Sequence, residues 1–313
     1  MIPVVVGSNP IGHPTLTQHI PPPRKWIRPP LNDAAGAGAA FVANAGAAVA
    51  HVRANARGAA LSRNPEHLHQ VRIGVRRLRS TLRAFRELVR RRGALRLERE
   101  LRSIQRSLGA VRDWDEFVAA QFEPVLQRAA RRPRAVAQRS ARRILTGARF
   151  TSVTHDVLAW SRSEPWRAAG DPGETLGAFG ARALQRLYGA LCRRAAGIDW
   201  TNAGRRHRVR IRLKRLRYGC DCFAAAYPAD ETAPLLHRLR VLQHLLGELN
   251  DIQVQRRLLG ELAQEAGVAE AAKRARHALE ARQRRLIRGA AKAWSKFEAV
   301  SPYWRRAVVT GSQ

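Results

Sequence analysis

The sequence predicts an all-α fold built from two copies of one helical unit. Three observations carry this. From about residue 34 onward apolar residues recur at three- and four-residue spacing, and runs with strand alternation are absent. Ala, Leu, Arg and Glu, all strong helix formers, dominate the same stretch. Finally, His69-Gln-Val-Arg-Ile-Gly-Val-Arg-Arg-Leu-Arg79 returns 138 residues later as His207-Arg-Val-Arg-Ile-Arg-Leu-Lys-Arg-Leu-Arg217. The same offset, without a gap, aligns Leu101–Asp113 with Leu239–Asp251, and 15 of the 47 positions in 69–115 are identical in 207–253. Phe41 and Phe179 share the offset, so each unit begins one helix upstream of its His-initiated segment.

Taken in order, residues 1–32 are Pro-rich with no apolar period and read as a flexible or extended leader. Residues 33–170 form the first unit and 171–313 the second, divided at the turn cluster Gly170-Asp-Pro-Gly173. Each unit opens with a helix, about 34–58 and 174–196. The His-initiated helix follows, about 65–92 and 204–226, with Asn64 and Pro65 as N-cap and first helical residue of the first copy. A third helix, about 94–109 and 231–247, ends near Gly109 or Gly247. Pro228 and Pro234 bracket the break before the second copy of it, and further helices begin around Asp113 and Asp251. Short connections between about four helices per unit predict bundles.

Charge narrows the function. With 57 Lys+Arg against 24 Asp+Glu the net charge is +33, a self-repulsion that a polyanionic partner would offset. Only Lys25, Lys214, Lys273, Lys292 and Lys296 are lysines. The remaining basic residues are arginines, whose planar fork matches two phosphate oxygens at once. Cys192, Cys220 and Cys222 have no disulfide or redox spacing and read as core fillers in a reducing, cytosolic compartment. A signal-peptide layout is absent, and the Ala/Gly run 34–50 is too short and weakly apolar to span a bilayer, so no membrane partner is expected.

On a helical wheel His69, Arg72, Arg76, Arg79, Arg83, Arg86 and Arg90 share one arc. Val71, Val75, Leu78, Leu82, Phe85 and Val89 occupy the next. The second copy repeats this, with His207, Arg210, Lys214 and Arg217 beside Val209, Leu213, Leu216, Cys220 and Phe223. Same-sign neighbours at these spacings destabilise an isolated helix by about 0.2–0.5 kcal/mol each, and a bound polyanion reverses the sign. Arg72 to Arg83 spans roughly 16 Å, enough for several phosphates. The off-arc Arg77 and Arg215 are candidate partners for Asp113 and Asp251.

Other chemistries are less well served. Nucleic acid would be drawn to the same charge, but single-strand binders add stacking aromatics, and only Tyr218 borders a stripe. A metal-chelating reading has His67, His69, His237 and His244 to draw on, without a third acidic or thiol ligand at suitable spacing. An enzyme acting on phosphoanhydrides needs carboxylates to hold a metal, and the basic faces carry no cluster of them. No cofactor, no metal and no catalytic residue are expected.

The paired motifs, with Leu-Gly-x-x-(Arg/Asn)-Asp at 108–113 and 246–251, resemble the CHAD family, the conserved histidine α-helical domain. The similarity runs from about residue 34 to the end of the chain. It implies two four-helix bundles related by a pseudo-twofold axis, a central basic channel, binding of inorganic polyphosphate and association with polyphosphate granules. The family's basic positions fall on His69, Arg72, Arg76, Arg79 and Arg83, and on His207, Arg210, Lys214 and Arg217. Asp221 stands where the first copy has Arg83, a departure at the end of the second row. The acidic strand of the triphosphate-processing domain often fused to such members is absent.

Overall fold

The structure is a computed structural model that describes residues 20–31, 36–62, 64–89, 91–163 and 174–305. These contain ten α-helices, two short 3-10 turns and no β-strand. The first half holds α1 (Ala37–Leu61), α2 (Pro65–Ala84), α3 (Arg91–Ser107), α4 (Gly109–Ala119), α5 (Pro124–Thr146) and α6 (Ala148–Arg162). The second holds α7 (Leu176–Ala195), α8 (Ala203–Cys222), α9 (Ala229–Leu262) and α10 (Ala269–Glu298). At the offset of 138, the broken pair α3–α4 covers the chain span of the single α9, and α5–α6 that of α10. Counting each pair once gives four helical segments per half.

Local chemistry sets the starts. The Asn64 side chain accepts a hydrogen bond from the Glu66 amide at 2.9 Å with Pro65 behind it, and Asn202 accepts from the Arg205 amide at 3.0 Å. Thr175 caps α7 through the Ala178 amide at 3.2 Å. These side chains satisfy amides that a helix start leaves without partners.

The ends depart from expectation. The His-initiated helices stop at Ala84 and Cys222, short of 92 and 226, because Phe85 and Phe223 leave the helix to meet at the molecular centre. There Phe41, Phe85, Phe179 and Phe223 pack together, with Phe85 and Phe223 4.9 Å apart, Phe41 and Phe85 5.7 Å, and Phe179 and Phe223 6.0 Å. All four are buried. Arg86 therefore lies beyond the helix that was expected to carry it, and Arg90 lies outside the described residues. The third helix breaks at Leu108 in the first half, as expected. In the second half it runs through Gly247 as one 34-residue helix. Leu239, Leu242, Leu246, Leu249 and Ile252 form a continuous buried stripe that outweighs one glycine. Pro234 lies inside this helix, in its second turn, where only one backbone bond is given up.

The α1–α2 and α7–α8 hairpins form the centre, with α2 packed on α8 and the starts of α1 and α7 joined by a bridge between Gly36 and Thr175. Every apolar residue that the wheel assigned to the inner faces of α2 and α8 is buried, from Val71 and Val75 to Cys220 and Phe223. Cys220 and Cys222 are buried and unbonded, and Cys192 is half-buried. The part of the Pro-rich leader that is described, 20–31, lacks regular structure, yet it is pinned down. Asn55 accepts from the Arg24 amide at 3.0 Å and donates to its carbonyl at 3.1 Å, while Trp26 lies against His51. Residues 1–19 and the expected unit boundary at 170–173 lie outside the described residues.

Candidate functional site: a cationic seam between two helices

The apolar faces of α2 and α8 turn inward, which leaves their basic rows side by side along the line where the helices pack. Arg72, Arg76, Arg210 and Lys214 are all half-buried there. Their mutual closeness shows in their proton affinities. Burial first, and then the charges of Arg210, Arg76 and Arg72, push the Lys214 ammonium down to about 6. Burial and then Arg76 bring Arg72 down to about 10, and Arg210 is lowered by burial, with Arg76 adding to it. An ammonium that loses its proton this readily has given up water without gaining an anion. Arg76 donates to the Tyr218 hydroxyl at 3.3 Å, which ties α2 to α8 across the seam.

One end of the seam carries acids that the sequence reading had placed elsewhere. Asp113 of α4 pairs with Arg257 of α9 at 3.1 Å, and Arg112 pairs with Glu116 at 2.6 Å. Burial, with the neighbouring Asp251 as a further cause, raises the carboxyls of Asp113 and Glu116. Arg77, expected as the partner of Asp113, instead meets Asp221 at 3.1 Å and lies over the Trp26 ring at 4.1 Å. Arg215, expected beside Asp251, faces Arg83, Arg212 and Glu98. Arg77 meets Asp221 because α2 packs directly on α8, and the charges nearest Arg215 come from α2, α3 and α8 itself.

The remaining row members divide. His69 is half-buried, and desolvation followed by the charge of Arg112 lowers its proton affinity, which favours the neutral ring. Arg79 and Arg83 lie at the other end, where Glu98 holds Arg83 in an ion pair and also Arg102 at 3.2 Å. Arg79 is brought down to about 10 by burial and by Arg83. Arg217 leans over the Tyr218 ring and donates to Gln243 Oε1 at 3.1 Å. His207 is exposed, with Nδ1 3.3 Å from Asn250 Oδ1, at a cavity of about 340 Å³ shared with Arg208 and Arg210. Arg206 belongs to the scaffold, since it is buried and donates to the carbonyls of Trp200 and Thr201 at 2.5 and 2.6 Å.

Arg112, Arg212, Arg215 and Arg186 were not foreseen as neighbours of the rows. Arg212 and Arg215 carried a usable signal, an i,i+3 pair beside Arg208 on α8, whereas Arg112 and Arg186 come from other helices. Among the described residues no group of three or more His, Cys, Asp or Glu side chains is placed to hold a metal ion. No described helix is long and apolar enough to cross a membrane.

Fold and site together define an all-helical protein with a partly buried basic row between two helix hairpins, with carboxylates near one end of it. The chain belongs to the CHAD domain family, whose model matches residues 43–260. It is similar to the crystal structure of the CHAD domain from the plant Ricinus communis, with 29% identity over 89% of this chain and 97% of that one and a TM-score of 0.78. It also shares its fold with PptA from Streptomyces chartreusis, with 15% identity, a TM-score of 0.63, and coverage of 87% of this chain and 100% of that one. No curated protein matches the chain.

Proposed function

We propose that this protein holds inorganic polyphosphate along the seam between α2 and α8, and through it localises to polyphosphate granules in the cytoplasm. The observation that carries the reading is the convergence of Arg72, Arg76, Arg210 and Lys214 from two helices, where burial first and then the charges of its neighbours bring the Lys214 ammonium down to about 6. Three guanidinium cations that repel one another in a partly buried row, beside a lysine that burial and their charge keep from holding its proton, are stabilised by an anion that repeats its charge along the same line. A chain of phosphates without bases needs such a track and no surface that reads base edges. His69, Arg79, Arg83, His207 and Arg217 extend the track at its ends. The role is that of a holder, with no catalytic step and no cofactor.

The test replaces Arg72, Arg76, Arg210 and Lys214 together by Ala and measures long-chain polyphosphate binding by titration calorimetry. Binding should fall by at least about a hundredfold, at about 1.4 kcal/mol for each factor of ten, while the far-ultraviolet circular dichroism of a helical protein is kept. Unchanged affinity would falsify the seam as the site. Competition at equal phosphate concentration separates the ligands: polyphosphate should displace single-stranded nucleic acid, and the reverse order would assign the seam to nucleic acid.

A further inference from the structure

Two grooves flank the crossing of α2 and α8, and they differ in what fills them. In the first, the leader lays Trp26 between Arg77 and His51, with Arg77 4.1 Å from the ring centre and the His51 ring 5.6 Å away edge-on. Asp221 closes this groove as the shared partner of Arg77 at 3.1 Å and of the leader's Arg28 at 3.9 Å. The second groove lies where the offset of 138 places the counterparts of these residues. Arg215 stands for Arg77, Gly189 for His51, Ala190 for Val52 and Arg83 for Asp221. No described segment fills it. It is a cavity of about 610 Å³ between α2, α3, α7 and α8, within the range of small-molecule sites.

Its lining has two characters. Leu82, Leu187 and Ala190 offer apolar wall, and Leu95 at the rim is 47% exposed. The polar side holds six arginines against two glutamates, and both glutamates are already engaged, Glu98 by Arg83 and Arg102 and Glu87 by Arg186. Arg86, Arg212 and Arg215 have no carboxylate in ion-pair reach among the described residues, and Arg215 Nε is buried without a hydrogen-bond partner. The filled groove accepts a flat aromatic ring on an arginine, with the ring's own chain supplying a cation to Asp221. In the open groove the aspartate is replaced by Arg83, so the same seat calls for a ring whose attached charge is negative.

We propose that the open groove binds a nucleoside triphosphate, with its base against Leu95, Leu187 and Ala190 and its phosphates on Arg86, Arg212 and Arg215. Apart from Arg83, which lies at the edge of both, the site is separate from the polyphosphate seam at Arg72, Arg76, Arg210 and Lys214, and its test reads it independently of that seam. A planar base stacks on a guanidinium as Trp26 does on Arg77, and the triphosphate supplies the counter-charge that the glutamates leave unmet.

The full-length protein is titrated with ATP, with inorganic tripolyphosphate and with long-chain polyphosphate in parallel. Ala190→Phe fills the apolar wall and Arg212→Ala removes a phosphate donor. Thermal melts check folding, and Arg212→Ala, a half-buried surface change, keeps the test open if Ala190→Phe misfolds. Each should weaken ATP binding about tenfold or more, the size of one charge-assisted contact, and leave long-chain polyphosphate binding unchanged. Arg76→Ala/Lys214→Ala should do the opposite. Tripolyphosphate, which has no ring, should be insensitive to Ala190→Phe. ATP that does not bind, that binds both groove variants as well as the wild type, or that is lost with Arg76→Ala/Lys214→Ala overturns the proposal. Equal sensitivity of tripolyphosphate to Ala190→Phe would overturn the base seat. Loss of polyphosphate binding in the seam variant alone, or its absence, bears only on the function proposed above.

Discussion

The α1–α2 hairpin and the α7–α8 hairpin share a phenylalanine centre and a cationic row, but their helices meet in different ways. In α1–α2 two glycines allow close approach. A Cβ on Gly58 would collide with the His67 ring, and one on Gly74 would lie 2.5 Å from Val52 Cγ2. In α7–α8 the counterpart of Gly74 is Arg212, which cannot enter the interface and instead turns into the open groove. His51 and Val52, which back the seat of Trp26, become Gly189 and Ala190. One hairpin is roofed by its own leader, while among the described residues the other leaves a cavity beside it. Two helix pairs with the same inner face can thus be specialised, one for packing and one for holding something else, by a handful of outer-face changes.

The sharpest way to probe this contrast is to strike the part the hairpins have in common. Phe85→Ala and Phe223→Ala should each destabilise the protein by about 3–5 kcal/mol, the cost of removing a fully buried ring, read from urea unfolding. A large inequality between the two would mean that the shared centre is not shared energetically. Next in size is Gly74→Val, which overpacks the α1–α2 contact and should cost about 1–3 kcal/mol. The matching Arg212→Val should change stability by no more than about 0.5 kcal/mol. Comparable losses at both positions would erase the difference in helix approach.

Trp26→Ala removes the roof of the first groove. A loss of about 1–2 kcal/mol is expected from the half-buried ring and its cation–π contact, together with faster amide exchange in 20–31. No change in either would make the leader a passenger. A distinctive effect, read through pH and not through a deletion, concerns Lys214. Its folded-state proton affinity lies below that of the unfolded chain, so between about pH 6 and the ordinary lysine range the unfolded state binds more protons, and stability rises with pH through that window. An anion in the seam raises the affinity again. Polyphosphate binding at pH 7.5 should therefore take up a proton, seen as a dependence of the calorimetric enthalpy on buffer ionisation heat. Lys214→Met should abolish that uptake and should itself gain stability at this pH.

Much of the site was legible because membership of a helical face is a local property. Arg72, Arg76, Arg210 and Lys214 occupy one arc of their helices whatever lies opposite, and the offset of 138 marked the arcs as paired. The partners of Arg77 and Arg215 were not legible. Asp113 and Asp251 were chosen for them by motif proximity, but Asp221 and Arg83 lie across the helix crossing, and periodicity carries no information on what stands across a gap. The groove arginines Arg186, Arg102 and Arg83 come from three helices and converge only through packing.

By itself the chain determined its helical class, the buried faces of α2 and α8 and the capped starts at Asn64 and Asn202, because each depends on residues within a turn or two of one another. Tertiary structure decided where Phe85 and Phe223 end their helices, whether a glycine breaks one, and that one groove is roofed by Trp26 while no described segment fills its counterpart. Those outcomes depend on competition between distant surfaces for the same volume, and no stretch of local sequence records who wins it.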